Sequence, residues 1–143
     1  MTNAIEAFGT LLQRGDGATP ESFTTIGEVS DIEGLELTTD TEDVTNHSSP
    51  GGYEEHIGTI LRTNEVTFSI NWIPTNATHN ATTGLLLDWK NKTLRNFQIV
   101  LPDGSTTTES FSAIVTGFAM KAPVAGKLGA DITLKVSGQP TLA

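Results

Sequence analysis

The 143-residue sequence has no cysteine. That removes disulfide scaffolds, thiolate zinc sites, iron–sulfur clusters and cysteine nucleophiles together. No apolar run approaches the roughly 20 residues of a membrane-spanning helix. Basic residues are scarce, with 8 Lys and Arg against 17 Asp and Glu and a net charge of −9. Such a chain is poorly equipped to grip phosphate backbones. Hydrophobic residues make up 36% and aromatics 6%, which suits one thin core. The opening Met1-Thr2-Asn3-Ala4-Ile5-Glu6 lacks the basic start and apolar stretch of a secretory signal. The expectation is one soluble, intracellularly made domain spanning 1–143, close to the modal domain size.

Catalytic patterns are missing as well. No Gly-x-Ser-x-Gly elbow and no phosphate-cradling glycine loop before Lys-Ser/Thr occurs. Carboxylate pairs such as Asp31/Glu33 and Glu54/Glu55 lie in polar surroundings that offer no pocket to raise a pKa. His47, Glu54, Glu55 and His56 match no helical or hairpin metal spacing. These readings predict no enzyme, no cofactor and no metal. The Arg14-Gly15-Asp16 triplet and the glycosylation-like triplets at Asn46, Asn76, Asn80 and Asn91 read as chance in a Thr-rich chain.

Threonine dominates what is present and clusters with Asn, Ser and Gly, a composition for strands and turns. Alternation, strict over 65–73, predicts strands there and over 94–101 and 130–136, and 107–120 reads as a further strand long enough to bend, with a bulge at Gly117. In 26–38 the apolar Val29, Ile32 and Leu35 are spaced by three, a helical hint. The glycines and β-branched residues favour instead a strand disturbed near Ser30-Asp31 and Gly34. A helix is predicted near 78–92, with Ala81, Leu85 and Trp89 on its apolar face. The fold expected is mainly β, a sandwich with one flanking helix.

Residues 39–56 form a polar stretch unusually long for a compact domain. It reads either as an extended hairpin arm ordered by a partner or as a disordered loop. Charge is polarised too. Residues 1–65 carry 13 acidic side chains against Arg14 and Arg62, while residues 66–143 carry four against six basic ones. A field of one sign over half a chain repels itself and points to a use.

The order of these segments resembles the major tail tube proteins of phages with long, non-contractile tails. The resemblance rests on Gly9-Thr10-Leu11-Leu12, Gly15-Asp16-Gly17 and Phe23-Thr24-Thr25-Ile26-Gly27-Glu28-Val29-Ser30-Asp31-Ile32. It continues through Asp43-Val44-Thr45, Ser48-Ser49, Gly52-Tyr53-Glu54-Glu55, Ile57-Gly58, Val66-Thr67-Phe68 and Ile132-Thr133-Leu134-Lys135-Val136-Ser137-Gly138. Two departures are Gly84 inside the expected helix and an end soon after Gly138.

The resemblance implies a virion protein that self-associates into hexameric rings. Their strands join an inner β-barrel, and the rings stack into a hollow tube. The tube encloses a tape-measure protein, meets tail tip and terminator proteins, and conducts DNA without binding it. It implies an N-terminal arm over about 1–22 and a stacking loop over about 39–57. Within the loop, Asp40, Glu42, Asp43, Tyr53, Glu54 and Glu55 are the expected contacts. The strands around 28–38 and 59–72 are expected to line the bore, with Asp31, Glu33, Glu36 and Glu65 as lumen carboxylates. Lys121, Lys127 and Lys135 are expected to meet acidic loop residues of another subunit or ring. The rival reading is a sandwich that binds carbohydrate or a surface receptor through Trp72, Trp89 and Tyr53.

Overall fold

The computed structural model describes residues Thr2–Ala143. In chain order the elements are β1 (Leu11–Gly15), β2 (Phe23–Thr25), β3 (Val29–Glu33), β4 (Leu37–Asp43), β5 (His56–Thr63), β6 (Glu65–Asn71), α1 (Leu85–Asn91), β7 (Leu94–Val100), β8 (Thr108–Lys121) and β9 (Gly129–Val136). Seven strands form one antiparallel sheet in the order β2-β1-β7-β8-β9-β6-β3, and β4 with β5 forms a separate two-stranded ladder.

The strands follow from alternation. Val66, Phe68 and Ile70 of β6 are buried, as are Ala130, Ile132, Leu134 and Val136 of β9. Their neighbours Thr67, Ser69, Asp131 and Thr133 face outward and stay partly wet, as a period of two requires. Two bulges reset that period. In β8 the register shifts between Val115 and Gly117; the extra residue brings Phe118 opposite buried Ile132 after Phe111, Ala113 and Val115 have pointed inward. In β3 the shift lies between Val29 and Ile32, so both pack on the core although three positions apart.

The edge strands β2 and β3 are joined by only Ile26, Gly27 and Glu28. Four residue steps reach about 14 Å at most, so the sheet has to curl until its edges approach. The inner faces of the two halves then meet over one core, which includes Leu12, Ile26, Phe97, Phe111 and Ile132. The expected mainly β architecture with one helix is observed. Part of the stretch read as an N-terminal arm belongs to this sheet: β1 pairs with both β2 and β7, and Leu12 is buried. Residues 2–10 precede it outside the sheet.

The helix is shorter than expected, starting at Leu85 instead of near 78. Asparagine side chains compete for the backbone before it. Asn76 Oδ1 accepts from the Thr78 amide, and Asn80 Oδ1 from the Thr82 and Thr83 amides, which holds turns in place of helix. Gly84 lets the chain cross itself, since a Cβ there would lie 2.6 Å from backbone atoms of Thr78, His79 and Asn80. His79 pins this turn. Its Nδ1 accepts from the Ile73 amide and its Nε2–H donates to the Gly27 carbonyl at 2.6 Å.

Asp88 fastens the helix to the sheet. Its fully buried carboxylate takes Arg14 at 2.5 Å and Arg95 at 2.9 Å. Arg14 of the Arg-Gly-Asp triplet is therefore spent inside the fold. Trp89 departs from the predicted apolar stripe and is half exposed.

Candidate assembly surfaces

The stretch left open between arm and disordered loop is an ordered hairpin arm. β4 and β5 pair from Leu37↔Thr63 to Asp43↔His56, with a bulge between Thr39 and Thr41. The arm continues the β3/β6 ladder beyond a hinge. At Gly34 a Cβ would come within 2.7–2.8 Å of the Val66 backbone and side chain, so only glycine passes. Leu35 follows in the left-handed region at φ 47°. Asn64 then bridges the strands, its amide donating to the Glu36 carbonyl.

What marks the arm is exposure on both faces. Every β5 residue except Thr63 is exposed, and in β4 only Asp40 is partly covered. Pairing register assigns the faces, since opposed residues share one. Leu37 and Leu61 fall on one face, and Ile57 with the Asp40–Arg62 pair on the other. Leu61 is 81% exposed and Tyr53 78%; Ile57, Ile60 and Leu37 are about half exposed. Scattered apolar residues on a surface are ordinary, whereas a run along a two-stranded projection marks a candidate contact surface.

The predicted loop residues sit as follows. Asp40, Glu42 and Asp43 lie on β4, and Tyr53, Glu54 and Glu55 close the tip after a one-turn 3-10 helix at Pro50–Gly52. Arg62 bonds Asp40 at 2.7 Å and holds its carboxyl below the usual range. Hydrogen bonds from Thr45, aided by nearby His56, do the same for Asp43. Glu55 accepts from Ser49 Oγ at 2.8 Å. Asp43, Glu54 and His56 bring one ligand atom each within 4.8 Å of one another, all exposed. Sequence spacing missed this trio because Asp43 joins it only through cross-strand pairing with His56.

Asp31, Glu33, Glu36 and Glu65 are all exposed. Asp31 occupies the β3 bulge, Glu33 pairs with Thr67, Glu36 sits at the hinge, and Glu65 opens β6. Of the lysines, Lys135 lies directly across from Glu65 of its own chain. Lys121 bonds Asp131 of its own chain at 2.6 Å, and Lys127 lies in the exposed β8–β9 turn. They do not form one patch: Lys135 is near the arm, and Lys121 is at the far end of β8. Of the stacking candidates, Trp72 packs edge-on against Phe118 at 5.4 Å, on the core.

The free margin of β3 borders a groove of about 1040 Å³. Ile32, Leu35, Ile99, Leu101, Leu142 and residues 7–10 line it, and Asp31, Glu33 and Glu109 supply its charge. Nothing in the sequence marked Glu109, which arrives there through the curl of the sheet.

No curated protein matches the sequence. Solved structures match in fold. A chain from the tail of an empty gene transfer agent particle, determined with C6 symmetry, superposes with a TM-score of 0.77 at 16% identity, covering 98% of this chain and 99% of that one. A chain from the sheath/tube terminator of an extracellular contractile injection system in its extended state gives 0.72 at 16%, covering 100% and 99%. One from the tube-terminating cap of the anti-feeding prophage gives 0.70 at 16%, covering 100% and 94%. A family model described as lambda phage tail tube protein matches residues 10–143. That match spans the sheet, the arm and the helix, and it makes the chain a member of the lambda phage tail tube protein family, a structural component of virion tails and not an enzyme.

Proposed function

We propose that six copies form a ring, and that rings stack into a hollow tube enclosing a tape-measure protein and later conducting DNA. The observation that carries this reading is the arm. Isolated two-stranded hairpins are marginal in water, and this one exposes Leu37, Ile57, Ile60, Leu61 and Tyr53. A neighbour that covers it supplies the missing apolar contact. The open margins of β2 and β3 are association hazards unless paired. A heterologous contact that closes after six steps pairs them and extends the sheets into an inner barrel. The C6 symmetry of the similar tail supports six.

The acidic side chains of β3, the hinge and β6 (Asp31, Glu33, Glu36 and Glu65) are assigned to the bore. Six chains of −9 bring about 54 negative charges per ring. A wall of that sign repels phosphate, so DNA slides without sticking. The arm residues Asp40, Glu42, Asp43, Tyr53, Glu54 and Glu55 are assigned to ring stacking, next to tail tip and terminator proteins at the tube ends.

Negative-stain microscopy of concentrated protein, alone and seeded with tail tips, tests the reading. Rings and tubes about one domain thick in wall are expected. A persistent monomer under both conditions overturns it, and a tube map placing all four assigned carboxylates on the outside overturns the bore assignment.

A further inference from the structure

We propose that the groove beside the arm is a socket for the β8–β9 turn (residues 121–129) of a second copy in the next ring; this rests on the stacked-ring reading.

The groove is apolar and acidic. Ile32, Leu35, Leu37 and Ile99 line it, and Glu109 is the lining carboxylate that the bore assignment leaves unused. No basic side chain is among its described lining residues. Glu109 Oε2 is buried without a hydrogen-bond partner. A buried carboxylate oxygen left in that state is costly and calls for a donor.

The turn is the complement. All residues from Lys121 to Leu128 are exposed, Val124 fully so. It holds Lys121 and Lys127, with no acidic residue between Met120 and Ala130. Asp131 already engages Lys121, while Lys127 makes no ion pair among the described residues. Val124 fits the apolar wall, and the Lys127 ammonium donates to Glu109 Oε2.

The two parts cannot meet within one chain. Along the β6/β9 ladder, Glu65↔Lys135 marks the arm end and Asn71↔Gly129 the turn end. The groove runs along β3 from Val29 to Leu37, but its Glu109 lies at the start of β8 and the turn follows Lys121 at the other end of that strand, roughly 40 Å away along it. A contact from turn to groove therefore runs head to tail and repeats along an axis without closing, as ring stacking demands.

The chain lacks cysteine, so introduced pairs report contact directly. Val124→Cys with Leu37→Cys, oxidised after assembly, is expected to give a ladder of disulfide-linked multimers on non-reducing gels, because each copy carries one turn and one groove. Lys127→Glu is expected to slow assembly about tenfold, as is Glu109→Lys, with the double variant restored to within about threefold of the parent. Circular dichroism checks that each variant folds. Tubes without the ladder overturn the socket, as does a ladder from Tyr53→Cys with Leu37→Cys in place of the Val124→Cys pair. A double variant as slow as either single one also overturns it. Failure of the unmodified chain to form rings or tubes overturns the stacked-ring reading itself, and the socket with it.

Discussion

Residues 29–71 form one long hairpin with two different halves. The β3/β6 half rests on the core, and Val66, Phe68 and Ile70 are each buried to within 3%. The β4/β5 half has the same antiparallel ladder and buries no strand residue. Backbone pairing is therefore not what separates the halves. What differs is whether an apolar surface lies beneath the strands, and among the described residues none lies beneath the arm.

Ion pairs give the sharpest contrast, because the packed body and the arm each hold one around an aspartate. Asp88 is fully buried between Arg14 and Arg95, while the Asp40–Arg62 pair is open to water. Asp88→Ala leaves two desolvated guanidinium groups without their partner and is expected to destabilise the fold by about 3–5 kcal/mol. Asp40→Ala is expected to shift the urea midpoint of the monomer only slightly. Equal effects from the two would break the comparison.

The apolar version is next in size. Ile132→Ala removes a buried side chain at the centre of the sheet and is expected to cost about 2–5 kcal/mol in urea unfolding. Leu61→Ala on the arm is expected to stay within about 0.5 kcal/mol yet to abolish tube formation. A Leu61→Ala chain that melts early would mean that the arm is stabilised by its own chain. At the junction, Gly34→Ala presses a Cβ against Val66. It is expected to cost about 1–3 kcal/mol, visible as a lower midpoint and as impaired assembly.

The sequence carried the core strands plainly, because one wet face and one dry face impose a period of two. It carried the bulges less openly. The spacing of Val29, Ile32 and Leu35 imitates a helix, since an extra residue in a strand shifts the inward set by one. The helix start was not legible: Asn76 and Asn80 fit a helix cap and an Asx turn equally well, and the close approach of Gly84 to the backbone of Thr78, His79 and Asn80 belongs with the turn. Trp89 fitted an apolar stripe only within a longer helix. The acidic arm residues were legible as a group because they adjoin in sequence. Glu109 and the Asp43–Glu54–His56 trio were not, because curl and cross-strand pairing bring them to their places.

The smallest effect concerns two half-exposed carboxylates. Asp131 titrates below its ordinary value of 3.8 chiefly because Lys121 bonds it, and secondly because Ser69 does. Asp40 is lowered by Arg62 alone. A depressed carboxylate stabilises the fold at pH above its unfolded value, and that contribution is lost as pH falls through the folded value. Both contributions are therefore present at neutral pH and fade below about pH 4. Carboxyl-carbon NMR titration separates the two sites. Arg62→Ala is expected to return Asp40 to about 3.8, because the arm offers it no other donor. Lys121→Ala is expected to raise Asp131 only part of the way, because the Ser69 hydroxyl, 2.7 Å away on the neighbouring strand, still donates. A full return of Asp131 would mean that the Ser69 bond does not persist in solution. The sheet would then hold its half-exposed carboxylate no better than the arm does.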